Sequence, residues 1–440
     1  MTRRLAIACA ALLVATAALV AVPALGPGSA TPTAPGSLGG EASTGSSAPG
    51  TASPMPAAAS PVATPSPGPR VIPRRPPSAT PHLGARLQAH LDRYREAAGM
   101  PGVSAAIEFS DGSVWLGTSG ASDVGVGDPV TPDTAFSFAS MTKTFVAAAV
   151  LDLVGDGLLA LDDPVADLLP DIAIDRRITV HQLLDHTSGL HDFFLGRGID
   201  AALQSDRAAA WTFDQALAYV ARPYFAPGTG WRYSNTNYLL LGLAIERLTG
   251  QDLATVIRDR FLGPLGLDGT YVQGAESAPG PVARGYRFRD SSPASPAIDL
   301  SDGSPIMPFT SVVTAAGGAG SMAGTAADAA RWARQLYRGD VLDAYELALM
   351  VGDIEVVGAF RPAVPYGLGV QAFTIDGRPT LGHSGRFLGF RGTMRYFVDG
   401  DVAGAVLTNQ SRTDPGPLLA ALVEIALPRL GVCGECPAPD

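Results

Sequence analysis

The chain has 440 residues, with 31 basic and 41 acidic side chains and a formal net charge of −10. It has no lysine-rich block and no basic run longer than the pair Arg74-Arg75, which argues against a nucleic-acid partner. It opens Met1-Thr-Arg3-Arg4, runs apolar over residues 5–22 and leaves through Val22-Pro-Ala24, the order of a secretory signal. Residues 1–25 are therefore predicted to be a signal peptide, with an uncleaved anchor as the alternative because the run is close to a span's length. Cys9 falls too early in that run for lipid attachment. No later stretch is long and apolar enough to span a membrane. The predicted location is secreted or extracytoplasmic, wall-associated or tethered through an uncleaved N-terminal segment.

Residues 26–81 are Pro, Ala, Ser, Thr and Gly with almost no large apolar side chains. Such a stretch cannot bury enough surface to offset its ordering entropy, so a disordered linker is expected. The remaining ~350 residues exceed one typical domain, which suggests two packed lobes.

Residues 82–98 place Leu83, Leu87, Leu91 and Tyr94 at helical spacing, with Gly99-Met-Pro101 as the stop. Strand-like runs at 103–109 and 113–117 flank Asp111-Gly112, a strong hairpin signal. A long apolar helix then starts at Ser140 and ends near Gly155-Asp-Gly157. The middle, about 158–337, reads as helix and loop. Residues 183–190 end one helix. Pro227 to Asn235 leads into a very apolar helix at 238–248, and Thr325 with Asp328 opens another through Trp332 and Leu336. Residues 275–308 read as loop that lines or covers a cleft. Gly317-Gly-Ala-Gly-Ser-Met lacks the preceding strand of a nucleotide-binding unit and reads as a tight turn before a helix. Period-two runs at 369–375, 379–385, 392–398 and 402–409 read as antiparallel strands, followed by a helix at 417–427. The predicted fold is α+β: an antiparallel sheet assembled from both ends of the chain, flanked by terminal helices, with an inserted helical domain. The corresponding domains are an α/β lobe at 82–135 and 360–430, a helical lobe at about 140–340, and a tail at 431–440. In that tail Cys433-Gly-Glu-Cys436 suggests a local disulfide, as expected of an exported protein.

Ser140-x-x-Lys143 puts a hydroxyl and an amine one turn apart on a helix face. The first turn of a helix also offers unpaired N–H groups and the positive end of its dipole. Thirty of the basic residues are arginines and Lys143 is the single lysine. Arginine cannot be deprotonated in a protein, whereas a buried lysine can serve as a base. Tyr233-Ser-Asn235 offers a phenol that could shuttle the proton, if cations hold it near its phenolate, and an amide for a substrate amide. His383-Ser384-Gly385 offers a strand edge for an extended substrate. Serine acyl transfer needs such a base, orienting groups and N–H donors. A metal hydrolase needs clustered ligands, and His181, His186 and His191, spaced by five, do not share one helix face. No metal or cofactor is expected.

These three motifs, with residues 178–190 and 227–250, resemble the serine β-lactamase-like, penicillin-recognising hydrolases: class C β-lactamases, D-alanyl-D-alanine carboxypeptidases and related esterases. The likeness spans about 83–427 and implies that family's α/β domain beside a helical domain. It implies Ser140 as the acylated nucleophile, with Lys143 and Tyr233 sharing acid–base work. Asn235 would bind the substrate amide together with His383, Ser384 and Gly385, and the backbone N–H groups of Ser140 and Arg386 would form the oxyanion hole. Two positions depart from the pattern. His383 stands where class C β-lactamases carry lysine, as in carboxypeptidase and esterase branches. Arg386 stands where a small or hydroxyl residue is frequent, and either meets a substrate carboxylate or points outward. The expected function is a secreted serine hydrolase acting on the D-alanyl-D-alanine end of peptidoglycan stem peptides. β-Lactamase activity, small-ester hydrolysis and a catalytically silent wall module are the alternatives. Activity is expected to fall as pH crosses the pKa of His383.

Overall fold

A computed structural model describes residues 81–290, 295–358 and 365–426. The predicted leader (1–25), all but the last residue of the predicted linker (26–81) and the Cys433–Cys436 pair lie outside them.

A seven-stranded antiparallel sheet draws on both ends of the described chain. Its strands are β1 (Gly102–Glu108), β2 (Val114–Asp123), β3 (Asp128–Pro129), β4 (Gln371–Ile375), β5 (Arg378–Phe387), β6 (Phe390–Phe397) and β7 (Val402–Thr408). Their order is β3-β2-β1-β7-β6-β5-β4. β1 pairs with β7 from Val103↔Thr408 to Glu108↔Ala403, so residues some three hundred positions apart close the sheet. Side chains alternate between faces along each strand. Val103, Ala105 and Ile107 pack with Leu83, Leu87 and Leu91 of helix α1 (Pro81–Ala98) and with Leu418 and Leu422 near the C-terminal end. Ala106, Ala405 and Leu407 belong to the larger core on the opposite face.

That core surrounds α2 (Thr142–Gly155), which is buried on every side from Thr142 to Leu151. A helix apolar all round can only sit inside. Phe145 stacks on Trp332 at 3.9 Å, and the Trp332 indole donates to Thr144 Oγ1 at 2.8 Å, fixing the helix against α4 (Ala326–Arg338). Between α2 and α4 the chain runs mostly as short helices and loops around α3 (Asn235–Thr249). The capping threonine behaves as its sequence suggests: Thr325 accepts from Asp328 N–H at the start of α4. A last helix, α5 (Gly416–Ala426), covers the sheet beside α1.

Several boundaries differ from the sequence reading. The second strand runs on to Asp123, and α3 starts three residues before 238. The glycine-rich turn at 317–319 leads into a short strand, Met322–Gly324, before α4. That strand pairs with Phe136–Ser137, the entry to α2, and with Tyr271–Val272. The loop after residue 275 lines a cavity of about 450 Å³ with Ser122, Asp123 and Arg284, and none of the candidate catalytic residues is among its walls. Among the described residues no helix is long and apolar enough to cross a membrane.

Candidate active site

Ser140 sits in a single 3-10 turn, Ala139–Met141, that feeds directly into α2. The residue before it, Ala139, has φ +47°, a left-handed conformation that strains any side chain bearing a Cβ. The strain is held from outside. A Cβ on Gly385 of β5 would lie 2.0 Å from the Phe138 carbonyl oxygen, so only glycine lets the strand press against this turn. Gly385 is therefore part of the frame that presents Ser140.

Lys143, one turn along, is fully buried. Its Nζ lies 3.2 Å from Ser140 Oγ, 2.9 Å from Asn235 Oδ1 and 2.6 Å from the Ala319 carbonyl oxygen. It also lies over the rings of Tyr233 and Tyr238, at 5.0 and 5.4 Å. Three neutral oxygens replace water poorly for a full charge. Burial pushes the amine down to about 7, against a smaller upward pull from Asp192. At neutral pH a substantial share of the amine is unprotonated.

Asn235 opens α3 with its amide fixed at both ends, Oδ1 accepting from Lys143 and Nδ2 donating to Asp192 Oδ2 at 2.8 Å. Asp192 is itself buried. Its Oδ1 accepts from Phe194 N–H at 3.0 Å, and burial raises its pKa. Tyr233 approaches from the same segment as Asn235. Its hydroxyl is shut off from solvent and faces the Ser140 hydroxyl. Burial pushes the phenol above its ordinary range, with the Ser140 hydroxyl working the other way. The phenol therefore keeps its proton, so the condition that cations hold it near phenolate is not met. The ring rests against His186 at 4.2 Å, and His186 Nδ1 accepts from Ser234 N–H at 3.2 Å.

β5 forms the opposite wall. Its pairing with β4 ends at Gly382↔Gln371. Ser384 N–H, two residues on, donates to the Gln371 side chain at 3.0 Å. N–H groups two residues apart on a strand point the same way, so Arg386 N–H faces the open edge beside the Ser140 turn. The Arg386 side chain is exposed and has no ion-pair partner among the described residues. Ser384 Oγ is held by Gln371 Oε1 at 3.2 Å and Arg395 at 3.1 Å.

His383 must be corrected. Its side chain is 1% exposed, held between the Tyr366 hydroxyl at 3.0 Å and its own segment's Ser384 carbonyl at 2.6 Å. It cannot touch a substrate in this arrangement. Burial first, and then Lys143, drive its pKa well below the ordinary histidine value, so it does not titrate near neutrality. Strand alternation accounts for this: at 383 the side chain is directed into the core.

Sequence reasoning missed Asp192, the Ala319 carbonyl and Tyr366. Asp192 had a signal, an acid just ahead of the apolar Phe193-Phe194-Leu195, which it caps. A backbone carbonyl supplied from 176 residues away has none.

The family model described as "Beta-lactamase" matches residues 87–427. Penicillin-binding protein 4 of Amycolatopsis lactamdurans is 33% identical over 348 residues, covering 74% of this chain and 85% of that protein. Esterase EstB of Burkholderia gladioli is 37% identical over 198 residues, covering 42% of this chain and half (50%) of the esterase. Among solved structures, the D-stereospecific amidohydrolase from Streptomyces sp. superposes with a TM-score of 0.64 at 29% identity, covering 80% of this chain and 98% of the other. The D-amino acid amidase from Ochrobactrum anthropi SV3, in complex with L-phenylalanine, reaches 0.67 at 26% identity, covering 79% and 99%.

Proposed function

The chain belongs to the Beta-lactamase family of serine hydrolases, and from that premise we propose a Ser140 acyl-enzyme mechanism directed at the D-alanyl-D-alanine end of peptidoglycan stem peptides. The observation that carries the mechanism is the Lys143 amine, buried, pushed down to about 7 and 3.2 Å from Ser140 Oγ. As an ammonium it donates to all three oxygens around it. Once neutral it keeps two N–H groups for Asn235 and Ala319 and turns its lone pair to the Ser140 hydroxyl.

Lys143 then takes the hydroxyl proton as Oγ bonds to the substrate carbonyl carbon. The carbonyl electrons move to oxygen, where the N–H groups of Ser140 and Arg386 receive the charge. Tyr233, holding its proton beside Ser140, hands it to the departing amine and is reprotonated from Lys143. The C–N bond breaks and leaves an ester on Ser140. Water attacks that ester by the same route in reverse. Asn235 and Asp192 orient the lysine throughout, and Asn235 keeps one N–H and one lone pair for a substrate amide.

The carboxypeptidase reading rests on the likeness to a penicillin-binding protein over most of both chains. A second reading, a hydrolase of D-amino-acid amides, is favoured by the amidase-like structural neighbours. The test is intact mass after mixing the protein, and its Ser140→Ala variant, with a penicillin. A penicilloyl adduct on the wild type alone supports both the nucleophile and a penicillin-recognising pocket, and the adduct's persistence separates a peptidase from a lactamase. No adduct with the penicillin intact, together with turnover of a D-phenylalanine amide, supports the second reading. The proposal includes export through residues 1–25. A mature N-terminus that begins near residue 26 supports it, and an intact leader on cytoplasmic protein contradicts it.

A further inference from the structure

The far end of β5 carries an aromatic wall that the acyl-enzyme chemistry does not use. Phe387 follows Arg386 directly and, by strand alternation, faces the same side as Gly385, which presses on the Ser140 turn. A Cβ on Gly320 would lie 2.8 Å from Phe387 Cζ and 3.5 Å from the Ala139 carbonyl carbon. The ring is therefore seated beside the Ser140 turn, against the residue that follows the Ala319 carbonyl. Phe194 meets it from the opposite side of the cleft. Its N–H donates to Asp192, the acid that holds Asn235. Its ring stands edge-on to Phe387, with centroids 6.3 Å apart and planes at 75°. Both rings are half-buried and pack on the same apolar cluster as Ile306. The next residue on each side, Leu195 and Leu388, is 61% and 43% exposed.

The order of groups along β5 fixes which part of a substrate meets this wall. The His383 end lies beside Tyr233, ring centroids 6.5 Å apart, and Tyr233 serves the leaving group. Arg386 N–H, three residues on, serves the carbonyl oxygen. Phe387 comes after it, on the side of the fragment that stays on Ser140. Neither phenyl ring can hydrogen-bond, so selection here works through apolar area removed from water. Clustered, partly exposed apolar groups of this kind mark a binding surface. Aromatic rings favour edge-to-face or offset neighbours, so another ring is the best cover for the pair.

We propose that Phe194 and Phe387 form the acyl-group subsite, and that the fragment kept on Ser140 carries a bulky apolar, preferentially aromatic group against them. This rests on the Ser140 acyl-enzyme reading and holds whether D-alanine or ammonia leaves. The two residues determine specificity and are not catalytic, since neither holds a proton nor receives charge. The rival is a structural seam, in which the two rings only close one side of the cleft against the other.

The probes are p-nitrophenyl acetate and p-nitrophenyl 3-phenylpropanoate, with kcat/KM for each divided by that ester's alkaline hydrolysis rate. The wild type should favour the phenylpropanoate by about 10–100-fold, the range for burying one aromatic side chain. Phe194→Ala and Phe387→Ala should each cut that ratio about tenfold. Phe387→Leu, which keeps apolar bulk, should cut it less. A structural seam would lower both esters together and leave the ratio standing. That result overturns the proposal, as does a wild type without preference. Ser140→Ala separates the two readings. If it still turns over both esters, the acyl-enzyme reading fails while the ratio still judges the subsite. If no ester is turned over, binding of 3-phenylpropanamide to Ser140→Ala, followed by ligand-observed NMR, judges it instead. Loss of that binding on adding Phe387→Ala supports the subsite, and equal binding overturns it.

Discussion

Two of the buried cations, Arg334 and Lys143, sit in opposite surroundings. Arg334 lies on α4 beneath the sheet, 5% exposed, with Asp401 Oδ2 at 2.7 Å and Glu108 Oε1 at 3.4 Å. Burial works against its charge, but the two carboxylates outweigh it and its pKa rises. Lys143 is buried as deeply, yet touches only a hydroxyl, an amide oxygen and a backbone carbonyl. The nearest acid acting on it, Asp192, is set behind Asn235. The difference shows what burial means chemically. A buried cation with carboxylates in contact is a structural element that keeps its charge. A buried lysine surrounded by neutral oxygens is a base held close to release.

The largest expected effect comes from giving the catalytic region the other region's cation. Lys143→Arg places a group that cannot deprotonate beside Ser140. Acylation should fall by at least the ~10²–10⁴-fold that general-base catalysis supplies. Single-turnover acylation by a penicillin or a chromogenic ester reads this directly. An arginine variant retaining a tenth of the rate would break the comparison.

The mirror experiment is Arg334→Met. It leaves Glu108 and Asp401 without their cation, a loss of about 3 kcal/mol, at the low end for broken buried pairs because the Asp401 side chain is 35% exposed. Chemical denaturation should show that loss, while the acylation rate of the folded fraction stays unchanged.

Lys143→Met should do the reverse. The folded pKa of about 7 lies below the unfolded value near ~10.4. Below pH 7 both states are protonated and the burial penalty is complete. Above the unfolded pKa both are neutral and it vanishes. Stability of the wild type therefore rises with pH across that window. At about 1.4 kcal/mol per pKa unit, the methionine variant should be a few kcal/mol more stable at pH 6, and the gain should shrink by pH 9.5. Tm measured at both values checks the sign. An equal gain at both would mean that lysine is not held under charge stress.

Smaller effects sharpen the picture. Asp192→Asn removes the upward pull on Lys143, so the acidic limb of activity should move to lower pH. His383→Gln should leave that limb where it is, because burial and Lys143 already hold His383 neutral. Movement of the limb in the histidine variant would restore the role that sequence alone suggested for it.

The sheet was legible because β1 and β7 are buried on both faces and packed with small and β-branched side chains, so the pattern stays clear at both ends of the chain. Ser140 and Lys143 were legible because their relation is local, one turn of a helix apart. His383 was misread because a motif gives order along the strand but not the face a side chain takes. The second strand was cut short at residue 117, since Thr118 to Asp123 are all small residues with no large apolar side chain to show alternation. Nothing along the chain marks Ala319: its part is played by a carbonyl that every residue has, positioned by a glycine turn packed so tightly that a Cβ on Gly318 would lie 2.5 Å from Tyr238 O. Contacts of that kind are written in three dimensions only.

The pH dependence of acylation tests the central claim most directly. Single-turnover rates on the wild type, from pH 5 to 9, should rise tenfold per unit up to a bend near 7 and then level off, as Lys143 loses its proton. The bend should shift downward in Asp192→Asn and stay fixed in His383→Gln. A rate that is flat across the range, or that rises only above pH 9, would contradict the account, for the lysine beside Ser140 would then not be a base poised near neutrality.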